Sequence, residues 1–495
     1  MQTGVNSTEA RRHSIADHAA ILTVSKITVL LISMVSAMLL SRFRTLEEYG
    51  TYSQIMLVVN IITPMIMLGF PKSINYFLSR TDTKEEDQRF ISTYYTYNTL
   101  LSIVVGIALI LSTPLITKYF SNENIRNYTY ILGVYPWTKI IMSSIENILI
   151  VYGQVAAVFK FRIANSICLL AIIPIVQFLN LGFQAYMAFF VAIEVVFTVI
   201  VYFIAHRLSG GLTFLLDTSL IKNILKFSIP LGLASVVGTL NIELDKLMIG
   251  KFLDTEGMAI YTNASREMPV TIISSSLTAV LLPRIAKLLK DNENEHAVKL
   301  WGRATLLSYM IICFLACALF VFAPEFMIVL YSDKYLPGVP VFRVYSIVLL
   351  LRCTYFGMIL NAKGKTKFIF YSSIISLCLN AILNYALYIF IGAVGLAVAT
   401  FLSQLIINLT QLFFAAKCLE IKFRKIFPWR ELGITSLINM LLAIIFYYVK
   451  TRAGFEAFVG EVPESILLGM LWVAIYIAII YKKVKTNWVV LNEGE

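Results

Sequence analysis

Residues 40–54, LSRFRTLEEYGTYSQ, and residues 249–263, IGKFLDTEGMAIYTN, share one pattern, which lays Tyr52 onto Tyr261 at an offset of 209. The offset recurs. GQVAAVFKF from Gly153 resembles GKTKFIF from Gly364, 211 residues on, and LGFQAYMA from Leu181 resembles IGAVGLAV from Ile391, 210 residues on. Each match is weak alone, but a steady offset along the chain marks an internal duplication, and a duplication decides the fold before any motif does.

The duplicated unit is apolar. The chain of 495 residues is 58% hydrophobic and 14% charged, with a mean hydropathy of +0.78, a composition of membrane proteins. A crossing helix needs about 20 mostly apolar residues. Runs of that kind predict fourteen spans, at 19–40, 53–78, 91–113, 128–151, 161–180, 184–205, 227–249, 258–282, 304–330, 342–362, 368–390, 393–416, 431–449 and 464–481. The expected fold is therefore an all-α membrane protein of about 14 transmembrane helices. Its organisation reads as an N-terminal tail (1–18), an N-lobe of six spans (19–206), a linker (207–226), a C-lobe of six spans (227–416), two extra spans (417–482) and a tail (483–495). The connections are too short for a soluble catalytic domain.

Lys and Arg set the orientation. The tails and linkers expected on one side hold 26 of the 41 cations and the opposite loops hold 9, so the positive-inside rule puts both termini in the cytoplasm. The net charge of +12 is then a topology signal and calls for no nucleic-acid partner. The first eighteen residues are polar and lack a cleavage site, so they are expected to be retained. Six cysteines without CxxC spacing or partnering histidines indicate no metal and no disulfide framework.

Six spans return a chain to its starting side, so the two copies run in the same direction through the membrane. Parallel repeats of this kind are a transporter signature, with a central site between the halves that opens alternately to each side. Six cations remain inside the predicted spans, namely Lys26, Lys72, Lys139, Lys246, Arg266 and Arg352, with Glu146, Glu194, Glu243, Asp245 and Glu267 as acidic companions. Ionisable groups in hydrocarbon read as functional by default. At about 1.5 Å per residue, Lys139, Arg266 and Arg352 lie roughly 12–17 Å from the nearest predicted span end, and Lys26 about 10 Å. Lys72 and Lys246 are near enough to an end to snorkel.

Two readings of these charges stand side by side: a cavity for an anionic substrate, and structural ion pairs. Arginine forks match phosphate bidentately, so Arg266 and Arg352 rank ahead of Lys139 and Lys26 as anion ligands. Glu243 and Asp245, in VVGTLNIELDKLMIGKF (236–252), form an acidic pair that the first copy lacks and are candidates for a coupling proton or sodium ion. The chain carries no GxxxxGK[ST] motif, which leaves an ion gradient or the membrane potential as the energy source. All four histidines fall outside the span interiors, against a membrane acyltransferase.

Fourteen spans in a six-plus-six-plus-two plan, SRFRTLEEYGTYS after span 1, LDKLMIGKFLDTEGMAIYTNA across spans 7 and 8 and LNAKGKTKF between spans 10 and 11 resemble the bacterial O-antigen and capsule repeat-unit flippases of the multidrug/oligosaccharidyl-lipid/polysaccharide exporter superfamily. The resemblance implies a V-shaped pair of lobes with a cationic lumen, no bound cofactor and no enzymatic step. It further implies translocation of an undecaprenyl-pyrophosphate-linked oligosaccharide across the cytoplasmic membrane, feeding a polysaccharide polymerase machinery. In the related lipid II flippases the two extra helices form a groove for the lipid tail, and arginines of the first, second and eighth helices hold pyrophosphate. Here those helices offer Lys26, Lys72 and Arg266, a partial match that argues against lipid II. Cation-coupled drug export, lipid II flipping and a polysaccharide-modifying membrane enzyme remain the alternatives. An acidic cavity would favour the first, and a buried histidine or large outer loop the last.

Overall fold

The repeat is written in the boundaries of the helices. In the computed structural model, which describes the backbone of residues 3–266, 268–452 and 461–492 and the side chains within 21–487 of these, the first copy comprises nine helices. They are α1 (Thr3–Phe43), α2 (Leu46–Met67), α3 (Phe70–Phe77), α4 (Lys84–Leu111), α5 (Thr113–Phe120), α6 (Thr129–Met142), α7 (Ile145–Val151), α8 (Val155–Phe178) and α9 (Phe183–Ser209). The second copy comprises α10 (Thr218–Phe252), α11 (Thr255–Ala264), α12 (Ile272–Lys290), α13 (Asn294–Val321), α14 (Ala323–Leu330), α15 (Val339–Val348), α16 (Met358–Ala362), α17 (Thr366–Ile391) and α18 (Ala393–Cys418). Then follow α19 (Trp429–Arg452) and α20 (Glu461–Asn492). Helices α4, α5 and α6 begin 210 residues before α13, α14 and α15, and the 3-10 turns at 123–128 and 333–338 keep the same spacing.

Among the described residues thirteen helices are long and apolar enough to cross a membrane. The segment 128–151, expected as one span, is divided into α6 and α7. Ser143 and Ser144 turn their hydroxyls back onto the carbonyls of Ile140 (2.6 Å) and Ile141 (2.7 Å), the local competition by which serine interrupts a helix. The segment 342–362, also expected as continuous, is interrupted between Arg352 and Met358. The expected span 227–249 starts earlier, at Thr218, because the Asp217 carboxylate caps it by accepting from the amides of Ser219 and Leu220.

By packing, the chain divides into two compact units, residues 1–259 and 260–495. In the first unit α10 packs on α2 and α3. Leu68 (φ 38°) and Gly69 (φ 77°) turn the chain between those two helices. A Cβ on Gly232 of α10 would stand 2.1 Å from the Leu68 carbonyl carbon, so only glycine permits this crossing. An aromatic and aliphatic core that includes Phe70, Ile74, Phe90, Tyr94, Ile145 and Val201 fills the unit from α3, α4, α7 and α9.

In the second unit the helices beyond the duplication dock on α13. Phe446 of α19 and Trp472 of α20 stack with centroids 4.8 Å apart. Tyr476 donates 2.7 Å to the Met310 carbonyl and accepts from Asn439, and Lys450 pairs with Glu325 of α14 at 2.5 Å. Without a hydrophobic force between helices in lipid, such polar links and close packing carry association.

Candidate functional site: two interrupted helices and a polar cleft

Pro269 decides where Arg266 stands. Proline cannot donate the amide that a continuing helix needs, and it drives the preceding residue extended. Met268 accordingly takes φ −76° and ψ 145°, α11 ends at Ala264, and Arg266 lies in the gap before the 3-10 turn Pro269–Thr271 and α12. Glu267, an expected acidic companion, lies outside the described residues.

Arg352 closes a 3-10 turn, Leu349–Arg352, that ends the first half of the other interrupted span. The freed Leu351 carbonyl is satisfied from a neighbouring helix, as non-helical chain at membrane depth requires, and the Thr354 hydroxyl in the gap is anchored to another. Asn408 of α18 donates 2.8 Å to the Leu351 carbonyl, and Thr354 accepts from Trp301 (2.9 Å) and Thr305 (3.1 Å) of α13.

The two gaps bring Arg266 and Arg352 onto one cavity, walled also by Ser265, Met268, Tyr345 and Ser346. Its volume of about 30 Å³ has room for a water or two. Arg352 also lines a larger cleft of about 510 Å³. One wall of that cleft is Thr271, Ser274, Ser275 and Thr278 on and just before α12, the other Gln404, Asn408 and Gln411 on α18. Both sets follow helical spacing, so each forms one polar stripe along its helix. The hydroxyls of Ser274, Ser275 and Thr278 donate to carbonyls of their own helix, which leaves their lone pairs as acceptors, while the amides both donate and accept.

The other sequence-predicted residues occupy separate places. Lys26 lies 3.9 Å from Glu146, which also pairs with Arg162 of α8, so the cations of Glu146 come from α1 and α8. Lys139 stands in the last turn of α6, just before its interruption, with its ammonium 5.2 Å from the Tyr135 ring and its charge acting on the buried Glu194. By the 210-residue offset of these helices Lys139 corresponds to Leu349, one turn before Arg352. Lys72 reaches Ser235 at 3.4 Å. Glu243 is bound to Lys246 at 2.9 Å one turn away, while Asp245 is buried to 4% exposure and accepts from the Lys246 amide.

Residues 39–340 match the family described as polysaccharide biosynthesis protein, a region that runs from the end of α1 to the start of α15. The teichuronic acid biosynthesis protein TuaB of Bacillus subtilis is 24% identical over 355 residues, 70% of this chain and 71% of that protein. The probable low-salt glycan biosynthesis flippase Agl15 of Haloferax volcanii is 23% identical over 266 residues, 53% of this chain and 54% of that protein. Among solved structures, the lipid II flippase MurJ in an inward closed conformation superposes with a TM-score of 0.69 at 17% identity, over 94% of this chain and 99% of that one, a likeness of fold.

Proposed function

This chain belongs to the polysaccharide biosynthesis protein family, and on that premise we propose that it is a flippase moving undecaprenyl-pyrophosphate-linked oligosaccharide units across the bacterial cytoplasmic membrane by alternating access, both termini cytoplasmic. One observation carries the reading: two arginines from two interrupted helices share a cavity, and one of them also lines a cleft walled by hydroxyls and amides. A pyrophosphate brings at least two negative charges into a region where unpaired charge is strongly disfavoured. Arginine forks supply charge-assisted hydrogen bonds worth about 1.5–3 kcal/mol each. The adjoining stripes line the cleft with neutral hydroxyls and amides, groups of the kind that hydrogen-bond sugar hydroxyls. Such a site binds its ligand by charge and hydrogen bonding and moves it between the two sides of the membrane.

Lys139 and Lys26 serve the same anion along its path in this reading. The energy source is a coupling ion, a proton or sodium, held by Asp245. Glu243, engaged with Lys246, takes the lesser part. A polysaccharide polymerase machinery receives the product.

In cells, Arg266→Gln combined with Arg352→Gln is expected to abolish the surface polysaccharide that depends on this chain while the protein still reaches the membrane. Normal polysaccharide with normal protein level would refute the site. In Asp245→Asn, flipping is expected to lose its response to a collapsed ion gradient. A parental response would remove Asp245 from the coupling.

A further inference from the structure

The second unit has another built cavity, which shares no residue with the arginine pair. Where α13 and α19 begin and α20 ends, two clefts of about 380 and 300 Å³ adjoin, with Arg303, Leu306 and Glu431 lining both. Lys299, Arg303, Lys425, Lys482 and Lys483 surround them, against the carboxylates of Glu295 and Glu431. The excess is cationic, and it sits at the end of the unit that the Lys/Arg bias predicts to be cytoplasmic.

Arg303 is fixed in the wall. Its Nη1 donates 2.7 Å to Asn487 Oδ1, and Asn487 in turn donates 2.8 Å to the Lys483 carbonyl. A guanidinium held this way keeps its remaining N–H groups in a constant direction, the preorganisation that phosphate recognition rewards. Deeper in, the clefts end on a closely packed seam between α13, α19 and α20, with only about 10 Å³ of free volume, where Met310, Ile438, Ile479 and Ile480 meet below Lys483. Beside it α19 and α20 expose Leu437, Leu441 and Ile475, the surface expected to meet acyl chains.

A cationic mouth over an apolar seam has the shape of a phospholipid standing in its leaflet. We propose that this is a binding site for an anionic phospholipid of the bilayer, of the phosphatidylglycerol class. Its phosphodiester lies among Arg303, Lys425, Lys482 and Lys483, and its acyl chains run along the exposed apolar surface of α19 and α20 beside the seam. Basic pockets between helices on the cytoplasmic side take such headgroups. A zwitterionic headgroup brings an ammonium that the same cations repel, so the site discriminates by charge. Because the seam joins α13 to both helices beyond the duplication, an occupied site clamps that pair to the unit.

Native mass spectrometry of the full-length protein released from phosphatidylcholine/phosphatidylglycerol nanodiscs tests this. The parent is expected to retain phosphatidylglycerol in preference to phosphatidylcholine. The variant K425Q/K482Q/K483Q changes exposed lysines that leave folding intact, and its retention should fall several-fold. K84Q/K160Q/K222Q, an equal charge change in the first unit, should retain the lipid as the parent does. Leu437→Asn/Leu441→Asn, which makes the acyl-facing surface of α19 polar without touching a charge, should also weaken retention. Undiminished retention in the first variant, or equal loss in the control, would overturn the site. Displacement of the lipid by soluble glycerol phosphate at equal concentration would make it a free-anion site and overturn the lipid assignment.

Discussion

Asp217 shows how much one side chain organises. It caps α10 and receives the Arg89 guanidinium, with Nε at 2.8 Å, and the segment before it is stitched to α4 through Thr213 to Ser92 and Leu215 to Thr96. Hydrogen bonds from Ser219 and the Leu220 amide, with the Arg89 contact, hold its carboxyl well below the usual carboxylate range. A depressed carboxylate contributes stability that is complete above its unfolded value, near 3.9, and is lost as pH falls through the folded value. Asparagine keeps the capping oxygen and removes the charge. Asp217→Asn should therefore be less stable than the parent at pH 7, with the gap closing only below about pH 4. Thermal unfolding of the two proteins across that range measures it, and a gap independent of pH would contradict a contribution from the carboxylate charge.

At the same scale, Arg266 and Arg352 were legible in the sequence because an arginine in an apolar run is conspicuous. Their meeting on one cavity was not, since it depends on interruptions that the apolar count passes over. Pro269 was the available signal for one, and the i, i+4, i+7 series Gln404, Asn408, Gln411 was the signal for the polar cleft beside them. The spacing excluded a direct contact of Lys139 with Glu146, while the cations that do meet Glu146 came from helices whose neighbours a single sequence does not specify.

At the scale of elements, span positions followed from hydropathy, but helix continuity did not. The serines at 143–144 and the gap at 353–357 lie in runs apolar enough to pass for straight helices. The docking of α19 gives a test of an element. Glu325 and Lys450 are both largely buried, so removing one charge strands the other, at about 3–5 kcal/mol, while replacing both is close to neutral. Lys450→Met is expected to lower the thermal midpoint in detergent, and adding Glu325→Gln to restore most of it. No recovery in the double variant would mean that the lysine stem, packed near the Phe322 ring, matters more than its charge.

For the whole molecule, the duplication was the most legible feature, because repeated turn chemistry survives in sequence as a fixed offset and reappears as helix boundaries 210 residues apart. Division by packing after residue 259 was less so. Helix α10 opens the second copy by sequence and packs with the first, a choice made by the glycine crossing at Gly232 rather than by descent. If the arginine pair handles a lipid-linked phosphate, each lost arginine should slow translocation by about 10- to 100-fold at about 1.5–3 kcal/mol apiece. The direct measurement is transbilayer movement of an undecaprenyl-pyrophosphoryl oligosaccharide in proteoliposomes of the full chain. Movement is expected with the parent and only the protein-free rate with R266Q/R352Q, whereas movement at the parental rate in that variant would remove the arginine pair from transport.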